Sequence, residues 1–299
     1  DRPELGHVAQ VTANGRGAVI TSSSGTDARH AIRVLDLRRK GADRWRPREL
    51  VAGLDHDWQL IEALGNRMWF LTNRDAPLYR LVSLDLDRAG ADWRDVVREG
   101  PNKLEHASIV GRKLVLNYLQ DATSRAVVVD LAGKPARELT IGDIGTASGF
   151  TGRPGDSETF YAFSSFNRPS TIYRLDLATG EVTPFAQPAL TFDPARYVVE
   201  QRFFKSKDGT RVPMFLVRTK AVAAAGRAVP TLLYGYGGFD VALTPGWSPV
   251  RMAWIAAGGA SQPHDRRQPT HHRAPREAGR LHPQDRLSRQ ITRLRRLEN

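Results

Sequence analysis

Apolar residues along this chain come in short runs, rich in Val, Ile, Tyr and Phe and bounded by Gly, Pro, Asn, Asp and Ser. Such runs predict strands rather than helices. They also recur. A string of apolar residues followed by Asp-Leu closes at Leu37, Leu86, Leu131 and Leu177, so that Asp36, Asp85, Asp130 and Asp176 lie 49, 45 and 46 residues apart. A second apolar run precedes each one, at 18–21, 68–72, 113–117 and 159–163, and a polar linker joins the two. Strand, turn and strand at this spacing predict four-stranded propeller blades. Four blades fill residues 1–192. A carboxylate ending a strand accepts hydrogen bonds from turn amides, and four copies at a fold period are what a repeat requires, so the aspartates read as structural.

Beyond residue 192 the pattern changes. Residues 197–207 and 210–219 predict a hairpin around Asp208-Gly209, a dipeptide that favours positive φ, and a loop follows from about residue 221. The stretch 230–239, PTLLYGYGGF, is an apolar run short enough for one buried strand that stops at Gly235, Gly237 and Gly238 among Tyr234, Tyr236 and Phe239. Glycines there let the backbone take positive φ or approach a ligand closely. The rings then face either a pocket or a packed neighbour.

LLYGYGGF, following RFFKSKDGTRVPMFLV, closely resembles the start of the hydrolase domain of the prolyl oligopeptidases, serine peptidases that cleave short peptides after proline. The resemblance is diffuse over the blades and sharp over about 197–256. It implies a mainly β chain: about four blades of a seven-bladed propeller, then the first strands of an α/β-hydrolase domain over 193–260. It also implies that Tyr236 donates its hydroxyl to the oxyanion and that Phe239 lines the substrate pocket. An arc of four blades suggests a chain that begins partway round the propeller, with open blade edges prone to aggregation, in a family that is monomeric.

Acyl transfer needs a serine on a strained turn, a histidine and an orienting acid. Gly-x-Ser-x-Gly occurs nowhere in the sequence. The near misses at 145–149 and 259–263 have a displaced serine or a proline, and neither follows a strand and opens a helix. The glycine-rich strand-and-loop continuation expected after Ala260 is also missing. The chain as written is therefore expected to be an inactive fragment on its own.

Residues 261–299 hold ten Arg, no Lys and four acidic residues, and they carry half of the net charge of +12. They read as a disordered or out-of-frame tail. Their four histidines, His264, His271, His272 and His282, follow no ligand spacing, so no metal and no cofactor is expected. Nucleic-acid binding by the Arg-rich tail is a lesser alternative. A non-catalytic propeller module that binds a partner through an open face is another. No apolar run approaches a membrane span, no leader pattern follows Asp1, and the chain has no cysteine. Zero cysteine fits the cytoplasm, with the periplasm left open.

Overall fold

The computed structural model describes residues 2–41, 45–87, 92–236 and 241–265. Four antiparallel four-stranded sheets follow one another in chain order. The first is β1 (Leu5–Val11), β2 (Gly17–Ser24), β3 (Ala31–Asp36) and β4 (Arg48–Val51); the second is β5 (Trp58–Leu64), β6 (Arg67–Thr72), β7 (Arg80–Asp85) and β8 (Arg94–Val97). The third comprises β9 (Lys103–Val110), β10 (Lys113–Gln120), β11 (Thr123–Asp130) and β12 (Pro135–Glu138). The fourth comprises β13 (Thr146–Thr151), β14 (Glu158–Ser165), β15 (Arg168–Asp176) and β16 (Val182–Ala186). These are the blades of a partial β-propeller. The paired runs of the repeat are its second and third strands, and each pairs in an unbroken or once-shifted ladder.

In blades two and three the second strands bury successive residues because both of their faces are covered, whereas β14 of blade four alternates. In blade two, Met68, Phe70 and Val82 pack towards blade one with Val19, Ile32 and Val34. Trp69, Leu71 and Leu81 point the other way, into a cluster with Leu104, Leu114 and Leu116 of blade three. A third cluster joins blades three and four through Val115, Val128, Tyr161, Phe163 and Leu175. Each such side chain, fully buried, stabilises the fold by about 1.5–3 kcal/mol.

The repeated aspartates cap the turns that leave the third strands. Asp36 Oδ1 accepts from the Arg38 amide at 3.0 Å and Asp130 Oδ1 from the amides of Ala132 and Lys134, both at 2.9 Å. Asp176 Oδ1 accepts from those of Ala178 and Thr179, at 2.9 and 2.7 Å. These amide contacts hold the carboxyls of Asp130 and Asp176 below the usual carboxylate range.

After blade four, a 3-10 turn at Pro194–Arg196 leads into a fifth sheet, ordered β17-β18-β20-β19. Its strands are β17 (Tyr197–Lys205), β18 (Arg211–Thr219), β19 (Thr231–Tyr236) and β20 (Ala260–Asp265). The β17–β18 hairpin closes through Ser206–Thr210, where Gly209 alone takes positive φ and Asp208 Oδ1 accepts from the Thr210 amide. The alanine-rich stretch expected as a loop begins as a helix, α1 (Lys220–Ala225), capped by the Thr219 hydroxyl and closed by Gly226 in the left-handed region. Alanine's helix propensity outweighs the shortness of the segment.

A second helix, α2 (Pro249–Ala256), links β19 to β20, which run parallel from Thr231↔Ala260 to Tyr236↔Asp265. This corrects the expectation that no strand follows Ala260. The sequence hides β20 because Ser261-Gln262-Pro263 carries no apolar run. A proline with no amide to give is also unusual between two strands, and only Met214↔His264 and Val217↔Ser261 pair β20 with β18. The rest of the expected tail, 266–299, lies outside the described residues.

Candidate functional site

The fifth sheet packs against blades three and four where their second strands turn into their third. Phe215, Val217 and Ile255 bury against Ala122 and Phe166, with Ile144, Tyr197 and Val199 around them. Phe166 and Phe215 have ring centroids 5.1 Å apart. Polar contacts frame this seam: Gln201 Nε2 donates to Asp121 O at 2.6 Å, Thr146 Oγ1 to Pro245 O at 2.7 Å, and the Trp247 amide to Ser164 Oγ at 3.2 Å. Arg211 pairs with Asp121 at 3.1 Å.

Tyr236 is the last residue of β19, the edge strand of that sheet. It is 39% exposed, and its hydroxyl meets no partner among the described residues. Tyr234, two residues earlier and 51% exposed, is equally open. Arg251, from α2, lies close enough to Tyr234 to interact with it electrostatically. It donates to Gly246 O at 2.8 Å and stands 5.0 Å from the Phe166 ring centroid, and burial lowers its pKa despite the nearby Tyr234. Phe239 lies outside the described residues. The arrangement offers an unengaged phenolic donor at a strand end, while the cation that reaches blade four stands near Tyr234.

Two fragments of acyl-transfer chemistry occur elsewhere. His7 Nδ1 and Ser22 Oγ lie 2.8 Å apart, but they are a directly opposed cross-strand pair on β1 and β2, not a serine on a strand-to-helix turn. The other is a network that sequence reasoning missed. Asp57, 3% exposed, lies 3.0 Å through Oδ1 from His30 Nδ1 and accepts from Gln59 Nε2 and the Tyr79 hydroxyl, both at 2.8 Å. Burial pushes its carboxyl up, but the bonds from His30, Gln59 and Tyr79 more than offset this and hold it below its ordinary range. No serine belongs to this network, and it ties blade one to blade two. Its only sequence signal was the polar His56-Asp57 directly before the apolar run that opens blade two.

Among the described residues no group of three or more His, Asp or Glu is placed to hold a metal ion. No helix among them is long and apolar enough to cross a membrane.

The fold and this seam define an arc of β-propeller continuous with a mixed sheet, the architecture of a propeller-bearing peptidase. The family described as prolyl oligopeptidase, N-terminal beta-propeller domain, matches residues 1–188, and the chain belongs to the prolyl oligopeptidase family. The prolyl endopeptidase of Elizabethkingia meningoseptica is 31% identical over 252 residues, covering 84% of this chain and 35% of that enzyme. One solved chain comes from a study of two prolyl endopeptidases and the role of inter-domain dynamics in their catalysis and specificity. It is 43% identical with a TM-score of 0.73, over 88% of this chain and 38% of its own. Prolyl oligopeptidase B from Galerina marginata, solved with a bound 35mer hydrolysis and macrocyclization substrate, is 26% identical with a TM-score of 0.80 over the same shares. The chain thus spans little more than a third of the length of these relatives.

Proposed function

We propose that this chain contributes propeller blades and the opening strands of an α/β-hydrolase domain to a serine-type endopeptidase acting on short proline-containing peptides. In this reading Tyr236 is the hydroxyl donor to the oxyanion and Phe239 lines the substrate pocket, in the cytoplasm. The observation that carries it is the parallel β19–α2–β20 unit, whose strand ends at Tyr236 with an unengaged hydroxyl. The loop after an early strand is where α/β-hydrolases place part of the oxyanion hole. The 299 residues contain no Gly-x-Ser-x-Gly, so they form no acyl-enzyme by themselves; an oxyanion donor without a nucleophile has nothing to stabilise.

The test is hydrolysis of a chromogenic Gly-Pro substrate by the purified chain, alongside labelling by a fluorophosphonate probe. Neither turnover nor labelling is expected. Labelling with turnover would reveal an activated serine and overturn the reading.

A second reading, a non-catalytic module that binds a protein through the terminal blades, is favoured by the exposure of Val8 and Val11 on β1 and of Phe185 on β16.

A further inference from the structure

The seam between blades three and four does not close at its outer rim. There β12 contributes only four residues with a register shift, while β14 and β15 of the facing blade run to eight and nine. A cavity of about 490 Å³ opens between them, within the size range of small-molecule sites. Tyr161, Tyr173 and Val182 form one wall, and the segment from Arg137 to Gly142 forms the other. The first wall is flat and aromatic: Phe150, Tyr161 and Tyr173 stack in series, with centroids 4.6 and 5.4 Å apart and ring planes within 18°.

Two polar groups line this space without a hydrogen-bond acceptor among the described residues. Tyr161 is 2% exposed, yet its hydroxyl has no hydrogen-bond partner among the described residues. Burial, with Tyr173 adding to it, pushes that hydroxyl up to about 12, so it is a proton donor at neutral pH. Arg137 reaches from β12 across the mouth and lays its guanidinium where a side chain at position 180 would stand, a placement that Gly180 alone permits. It forms no ion pair among the described residues, and the adjacent Glu138 is committed to Arg125 through bonds of 2.6 and 2.9 Å. Both donors open onto the cleft, where one anion can accept from the two together, and a guanidinium matches a carboxylate in geometry as well as charge.

We propose that this cleft binds a carboxylate carried on a flat apolar group, the carboxylate held by Arg137 and the Tyr161 hydroxyl and the apolar body laid against Tyr173 and Val182. Such a carboxylate comes either from a free organic acid or from the aromatic C-terminal residue of a peptide. Both present the same chemistry to the site, which is separate from the Tyr236 region and from the reading given to it.

Calorimetric titration of the whole chain with hippurate and with N-acetylphenylalanine distinguishes the two sources, and the corresponding amides serve as uncharged controls. Saturable binding of one acid or both is expected, with about tenfold weaker binding of the amides and of the acids to Arg137→Gln. A severalfold loss is expected for Tyr161→Phe, which keeps the ring and removes only the hydroxyl. Arg137 is exposed, so that variant should melt where the parent does. No saturable binding of either acid at millimolar concentration, or binding that Arg137→Gln leaves unchanged, would overturn the proposal.

Discussion

His30 Nδ1 stands 3.0 Å from Asp57 Oδ1 and 3.3 Å from the Trp58 amide nitrogen, and a single ring nitrogen cannot serve both. The carboxylate accepts only, whereas the amide donates only. The shorter contact to an ionised acceptor is the stronger, so Nδ1 carries the proton and donates to Asp57. One buried acid thereby gathers three donors from two blades. Asp57→Ala leaves His30, Gln59 and Tyr79 without their shared acceptor, and a loss of about 2–3 kcal/mol in urea unfolding is expected.

The same carboxyl gives a pH dependence. Its folded pKa lies below its unfolded value, so its contribution is fully present above the ordinary carboxylate range near 3.9 and disappears as pH falls through the lowered folded value. Urea midpoints measured from pH 6 downward should fall less steeply in Asp57→Asn than in the parent. Parallel curves would remove Asp57 from the acid limb.

Gly145 and Gly142 form a notch for the Phe163 ring. A Cβ at Gly142 would come within 2.8 Å of Phe163 Cζ, and one at Gly145 would overlap it. Gly145→Ala should therefore overpack the seam between blades three and four and cost about 1–3 kcal/mol. In a double-mutant cycle, Phe163→Leu should recover part of that loss. Additive losses would mean the ring moves aside freely.

Phe215 is fully buried between the fifth sheet and Phe166 of blade four. Phe215→Ala should cost about 3–5 kcal/mol. Its distinctive sign is local: limited proteolysis should cut between residues 187 and 196 sooner than in the parent, as the sheet comes loose from the blades.

Tyr236→Phe provides the contrast. An exposed phenol without a partner contributes little to the fold, so the melting temperature should hold within about 0.5 kcal/mol of equivalent stability. A larger loss would mean that the hydroxyl is structural, and would weaken its assignment as an oxyanion donor.

The blades were legible because each blade repeats a pair of apolar runs at a fixed spacing, packed on both faces in blades two and three, and the aspartates marked every third strand's end. Short fourth strands such as β8 (RDVV) and β12 (PARE) are too polar for periodicity to reveal. β20 escaped because a parallel central strand is ordinarily apolar, and here it is written Ala-Ser-Gln-Pro-His-Asp. Of the candidate site, the strand ending at Tyr236 was legible from glycine punctuation, whereas the role proposed for its hydroxyl came from the family resemblance alone. Asp57 was not, since no other blade has a counterpart and its partners come from residues 27 positions before and 22 after it.

The clusters that hold the blades lie between sheets and never within one. The period that organises the sequence is therefore offset by half a step from the joints that hold the chain together. A substitution on β6 or β10 answers to two neighbours at once, and which neighbour it answers to alternates residue by residue. Grafting a whole blade from a relative would break two joints, whereas exchanging the facing halves of adjacent blades would carry one joint across intact.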